Sequence, residues 1–294
     1  MNFLYEESFV KIIDAHVHYS RIASFEACAK HDSEVDYSEK GYIKETTASE
    51  VVASVCMGLT ETARLGFPDA SSKTPMLTDM TDTVPLGMSL CLGINPHTLN
   101  SDSLAVMEQF ITQKSSNIVG MKIYAGYYHV YVTDAIYEPV YKLAEKHDLA
   151  VAIHTGDTYS DRGLLKYAHP LCIDELAVTH PDLRVVACHM GVPWVFDACE
   201  VAAKNRNVYL DMSGMLVGSA AYIKQMAANP LLLDRYRQAL VFLDDYDKLL
   251  FGTDWPLAPM EAYIEFCKQL VPVETYEKVF YKNAVKVYRL SDTL

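Results

Sequence analysis

The sequence predicts a single (β/α)8 barrel of the TIM type, distorted, with its active site at the C-terminal ends of the strands. Three observations predict it: eight short apolar runs, amphipathic helix-like stretches between them, and titratable residues gathered where those runs end. The chain has 294 residues, and no Pro/Gly/Ser linker, low-complexity tract or short tandem repeat divides them, so one domain over 1–294 is expected. A doubly wound open sheet is the rival, because periodicity alone does not separate the two. No GxGxxG or GxxxxGK[ST] follows any run, which leaves a nucleotide-binding reading without a motif.

The runs are VKIIDAHVH (10–18), EVVASVCMG (50–58), LGMSLCLGIN (86–95), NIVGMKIYA (117–125), LAVAIHTG (149–156), LRVVACHMG (183–191), NVYLDMSG (207–214) and KLLFGTDWP (248–256). Each is rich in apolar or β-branched residues and ends on a turn residue or a polar group, the form of a parallel strand buried on both faces. SLAVMEQFITQK (103–114) and DAIYEPVYKLAEKH (134–147) carry helical periodicity, and helix-like stretches at 258–270 and 273–289 follow the last run. Residues 19–49 and 66–85 read as long polar connections; after the first and second strands they would lie at the mouth, where barrel loops shape the pocket.

Composition narrows the partners. Half the residues are hydrophobic and 21% are charged, a globular profile. With 25 Lys and Arg against 38 Asp and Glu, the net charge is −13, which argues against a nucleic-acid or anionic-membrane surface. A small-molecule substrate is the expected partner; a homodimer stays open, since nothing marks an interface. Seven cysteines, an odd count without a CxxC, read as reduced thiols of a cytoplasmic protein. The opening MNFLYEESFVKIIDAHVH has acids early and a short apolar run, unlike a secretory signal. No stretch approaches the roughly 20 apolar residues that span a bilayer.

The strand ends carry the chemistry. His16 and His18 lie two apart on the first run and point to one side if extended. His154 ends the fifth run, His189 the sixth and Asp254 the eighth, while Lys122 lies in the fourth. Barrel active sites are built at this rim. Imidazole and carboxylate suit zinc or a similar divalent ion, so His16, His18, His154 and Asp254 form a candidate cage. His189 is then free as an acid or base beside it. Each residue alone has a plainer reading: HxH is a weak motif, a single histidine is more often part of the core, and Asp254 could cap a turn. Their conjunction on one rim favours the metal site, because buried titratable groups are costly unless bonded or coordinated.

DAHVH, IHTG, ACHMGVPW and FGTDWP resemble the motifs of the amidohydrolase superfamily, in particular its amidohydrolase-related (amidohydrolase 2) branch. The likeness extends to PDLRVVACHMGVPW, NVYLDMSG and KNAVKVYRL, and so covers nearly the whole chain. The branch contains metal-dependent hydrolases, lactonases, hydratases and non-oxidative decarboxylases. The resemblance implies that His16, His18, His154 and Asp254 hold one divalent metal, zinc by preference, and that His189 is the catalytic histidine. Binuclear members of the superfamily bridge two metals with a carboxylated fourth-strand lysine. Lys122 could play that part, though one metal is favoured and Lys122 then binds a substrate carboxylate.

Two chemistries fit this set. In the preferred one, a metal-activated water attacks a small-molecule ester, lactone or amide, with Asp254 as general base and His189 as oxyanion stabiliser or proton donor. The alternative is non-oxidative decarboxylation of an aromatic or unsaturated carboxylic acid. A catalytically inactive barrel used for binding is a third reading, disfavoured by the complete ligand set. Among YAGYYHVYVTD, Tyr124 is a candidate substrate contact beside Tyr127, Tyr128, His129 and Tyr131. Arg64, Arg162 and Trp255 are substrate candidates on position alone, and His97 reads as a plain turn residue. Cys188, next to His189, is expected to face the other way in an extended strand.

Overall fold

The computed structural model describes residues 10–20, 22–59, 84–113 and 117–291. Within them lie eight strands: β1 Ile12–Val17, β2 Val51–Met57, β3 Met88–Ile94, β4 Ile118–Ile123, β5 Ala150–Ile153, β6 Arg184–Ala187, β7 Val208–Asp211 and β8 Leu249–Leu250. They form one sheet in the order β1 to β8, each bonded to its sequence neighbour, and the pairs are parallel. A doubly wound sheet reverses its order at a switch point. This one never does, so the barrel expected from the sequence is the fold. Its distortion sits at the seam, where β8 is only two residues long. The chain beyond it completes the closure: Ala15 N–H donates to Phe251 O at 2.9 Å, Asp254 N–H to His16 O at 2.9 Å, and His18 N–H to Trp255 O at 2.7 Å. The seam therefore ties the first strand to the segment bearing Asp254.

Strand alternation divides the core into two shells. Ala150 and Ala152 of β5 join Ile13, Ala15 and Val55 in a cluster closed by Tyr288 near the chain's end. Val151 and Ile153 face the other way, into the larger cluster shared with the surrounding helices. Burial at every position explains why β5 reads as an unbroken apolar run, and β7 as one up to Asp211.

The helices follow their sequence signals. Ser101–Thr112 starts at Asn100, whose side chain accepts from Asp102 and Ser103 N–H in a capping box, and Glu138–Lys146 carries a proline in its first turn. Met260–Lys268 follows the seam. The 273–289 stretch is less regular than expected, with short turns before the helix Asn283–Tyr288. The connection 19–49, read as a long polar connection, holds helices Ala23–Cys28 and Glu39–Ala48. Ser38 caps the second through Gly41 N–H, but only Phe25, Cys28, Gly41 and Tyr42 are buried in the pair, too few for an apolar stripe. Arg64 and residues 66–83 lie outside the described residues. Among the described residues no helix is long and apolar enough to cross a membrane.

Candidate metal centre

His16 lies within β1 and His18 just beyond it, and their ring centroids are 5.3 Å apart. His154 directly follows β5. The other two residues are placed differently from the sequence expectation. β6 stops at Ala187, and His189 occupies a left-handed turn with φ of 63°. Asp254 is also left-handed, with φ of 63°. Non-glycine residues adopt this conformation rarely and only where the surroundings hold them. Alternation ceases to apply once the backbone turns this way, which corrects the expectation for Cys188. Its Sγ does not face away from His189: ligand atoms of Cys188, His189 and His16 lie within 4.8 Å of one another.

Ligand atoms of His16, His18 and Asp254 form a second group within 4.8 Å, all three residues buried. Asp254 Oδ1 is 3.0 Å from His18 Nε2 and 3.4 Å from His16 Nε2. Despite these distances, His16 Nε2 and Asp254 Oδ1 make no directed hydrogen bond. The ring partners show why. His16 Nδ1 faces Asp211 Oδ2 at 2.9 Å, and His18 Nδ1 faces the Met57 carbonyl at 3.3 Å. Both partners can only accept, so each Nδ1 carries the proton and each Nε2 offers a lone pair toward Asp254. Lone pairs buried against a carboxylate are costly. A cation among them removes that cost, so the donor set fits a divalent ion.

His154 stands outside this trio. Its Nε2 lies 2.8 Å from the Asp157 carbonyl, so Nε2 donates and Nδ1 is the ring's lone-pair atom. Its ring lies 4.8 Å from that of His189 and 4.8 Å from that of Tyr127. Burial pushes the His18 and His154 imidazoles below their usual 6.5 and that of His189 down to about 4, so these rings are neutral at pH 7. Burial acts to raise Asp254, and a hydrogen bond and positive charge from His18, His189 and His16 would act to lower it; with these rings neutral, a bound cation would supply that charge and hold the carboxyl ionised.

Three further residues belong to this centre, two of them without a sequence expectation. Asp211 ends β7 fully buried, and Ser213 lies beyond it. Ser213 Oγ is 2.9 Å from His189 Nδ1 and 3.1 Å from His16 Nδ1. The acid in NVYLDMSG was the available signal, since a carboxylate at a barrel strand end meets the same rim rule as Asp254. Cys188 is the third. Lys122 Nζ, buried at 1% exposure, lies 2.9 Å from Cys188 Sγ and 5.4 Å from the centre of the Tyr124 ring. That thiol is its hydrogen-bond partner among the described residues. Tyr124 is buried and donates to the Gly58 carbonyl at 2.8 Å.

Two positional candidates differ in exposure. Trp255 has no exposed surface; it packs against Tyr19, Tyr37 and Tyr42 and points Nε1 at Glu45. Arg162 is exposed, and its carbonyl contacts His129 Nε2 at 3.0 Å.

Gly214 sets the spacing of the centre. It has φ of +59°, and an added Cβ would lie 2.6 Å from His189 Nδ1 and 2.8 Å from Asp254 Oδ2. Gly214→Ala is therefore expected to cost about 1–3 kcal/mol in a urea melt and to weaken Mn2+ binding, because the ring and the carboxylate must part. Wild-type stability and affinity in this variant would show that the turn relaxes freely.

The amidohydrolase family matches residues 13–290. Among solved structures, an uncharacterised TIM-barrel protein from Bordetella bronchiseptica is similar at 22% identity, with a TM-score of 0.66, over 95% of this chain and 98% of its own. A probable 2-pyrone-4,6-dicarboxylic acid hydrolase from Acinetobacter baumannii, with citric acid bound, is similar at 16% identity and a TM-score of 0.61 over 96% and 100% of the two chains. A variant of 5-carboxyvanillate decarboxylase from Novosphingobium aromaticivorans, with bound manganese and 3-methoxy-4-hydroxy-5-nitrobenzoic acid, is similar at 13% and 0.61 over 97% and 98%. No curated protein matches by sequence.

Proposed function

The chain belongs to the amidohydrolase family, and from that premise we propose that it is a metal-dependent hydrolase of a small-molecule ester, lactone or amide. One observation carries the proposal: His16 Nε2 and Asp254 Oδ1 are buried 3.4 Å apart without a hydrogen bond, an arrangement that calls for a cation. His16, His18 and Asp254 would hold one divalent ion, with His154 supplying Nδ1 as a further ligand. Zinc is our first choice, and manganese, present in the decarboxylase relative, suits the same donors. Such an ion polarises a carbonyl and lowers the pKa of water.

The chain's own groups handle the protons. Asp254, ionised, accepts the proton of the attacking water as general base. His189 holds its Nδ1 proton toward Ser213, whose carbonyl lies 3.2 Å away, so Nε2 is its acceptor. It therefore delivers a proton to the leaving group only after receiving one. Tyr124, beside Lys122, is kept as a candidate substrate contact, its hydroxyl held by the Gly58 carbonyl.

A second reading, decarboxylation of an aromatic or unsaturated acid, is favoured by Lys122. A buried lysine whose hydrogen-bond partner among the described residues is a thiol can take a substrate carboxylate. Carbon dioxide and heavy-water products separate the two readings. After turnover in 18O-labelled water, hydrolysis leaves the label in product, whereas decarboxylation releases carbon dioxide and leaves none. Elemental analysis expects about one metal per chain; two would bring a carboxylated Lys122 bridge forward. Either reading gives Lys122 an anion to hold. Lys122→Met is expected to weaken binding of a carboxylate probe, 2,6-dihydroxybenzoate, about tenfold or more by calorimetry. Unchanged affinity would remove Lys122 from the substrate site.

A further inference from the structure

We propose that Asp211 is a positioning residue that sets His16 and His189 as one unit, fixing which ring nitrogen of His16 carries the proton. This rests on reading His16 as a metal ligand and His189 as the catalytic histidine.

Four donors meet this one carboxylate. Oδ2 takes His16 Nδ1 at 2.9 Å. Oδ1 takes the backbone N–H of His189 at 3.0 Å, the backbone N–H of Ser213 at 3.0 Å, and the Ser213 hydroxyl. The Ser213 proton is thus committed to Asp211, which leaves its oxygen as an acceptor for the Nδ1 protons of both His16 and His189. Asp211 reaches His16 directly, and reaches His189 both through its backbone and through Ser213. The backbone bond also pins the left-handed turn that carries His189.

The consequence is chemical as well as structural. With Nδ1 protonated, His16 turns its Nε2 lone pair to Asp254; with the other tautomer it would turn a proton there and could not ligate. A carboxylate at Oδ2 permits only the first. An amide does not. In Asp211→Asn the three donors at Oδ1 select the amide oxygen, so the amide NH2 falls where Oδ2 was and faces His16 Nδ1. Two donors cannot share that contact; Ser213 Oγ alone is left to accept at Nδ1, and the ring is expected to move its proton to Nε2.

The test uses the full-length, metal-free, 15N-labelled protein, with ring tautomers read by long-range 1H–15N correlation above pH 7.5. Wild-type His16 is expected to carry a proton on Nδ1, and the Asp211→Asn variant to carry its proton on Nε2 alone. Mn2+ titration is expected to show dissociation constants raised about 10- to 100-fold in the variant, the usual effect of losing a partner behind a ligand. A purely structural role would lower the melting temperature without moving the tautomer. Nε2–H at His16 in the wild type overturns the proposal, as does a variant with unchanged tautomer and Mn2+ affinity. If Asp211→Asn does not fold, the wild-type tautomer still decides. In Ser213→Ala, where Asp211 Oδ2 remains, His16 is expected to stay Nδ1–H, and a flip there would transfer the role to Ser213 and overturn the assignment. Failure of the wild type to bind Mn2+ counts against the metal reading alone, since the tautomer is measured without metal.

Discussion

Asp254→Asn is expected to abolish both metal retention and turnover. The proposed reading gives Asp254 two roles: its Oδ1 faces His16 Nε2 and His18 Nε2, where it would hold the ion, and its carboxyl would act as the base. Asparagine keeps the volume but removes the charge that offsets the cation, and its NH2 cannot ligate. We expect metal content near zero after dialysis and kcat/KM lowered on the order of 10³-fold or more, since a general base alone contributes about 10²–10⁴. The fold should persist, and with reason. The contact that closes the barrel here is the Asp254 backbone N–H to His16 O at 2.9 Å, which the substitution leaves intact. A variant that keeps one metal per chain would remove Asp254 from the ligand set.

His189→Asn separates binding from chemistry. His189 lies outside the His16, His18 and Asp254 group, with its Nδ1 4.0 Å from Asp254 Oδ2. Its neutral ring, held near pKa 4 by burial, accepts a proton readily only from a strong donor and then gives it up easily. Metal content is therefore expected to hold near wild type while kcat falls by about 10²–10⁴. Retained turnover would take His189 out of the reaction, and lost metal would make it a ligand.

Much of the barrel was legible from the apolar runs, because a parallel strand covered on both faces cannot hide its composition. Six of the rim residues were legible for a related reason: a titratable group at the end of an apolar run has no place in a core. His16 and His18 obeyed period two because β1 is extended through Val17. Cys188 disobeyed it because His189 is left-handed, a property of one φ angle that no spacing records. The helices of 19–49 were illegible because few of their residues face the core, and Trp255 was misplaced because its burial is set by Tyr19, Tyr37 and Tyr42 from distant segments.

The sequence by itself determined the fold class, the family resemblance and the residue types gathered at the rim, since these follow from local pattern and composition. Only the tertiary structure decided which of those residues meet. It drew His16, His18 and Asp254 into one group, set His154 beside His189, and joined Lys122 to Cys188. It also brought Asp211 behind His16 across 195 positions of sequence. Proton placement on an imidazole depends on what faces its second nitrogen. That partner comes from another strand, so its identity is a fact of packing and not of pattern.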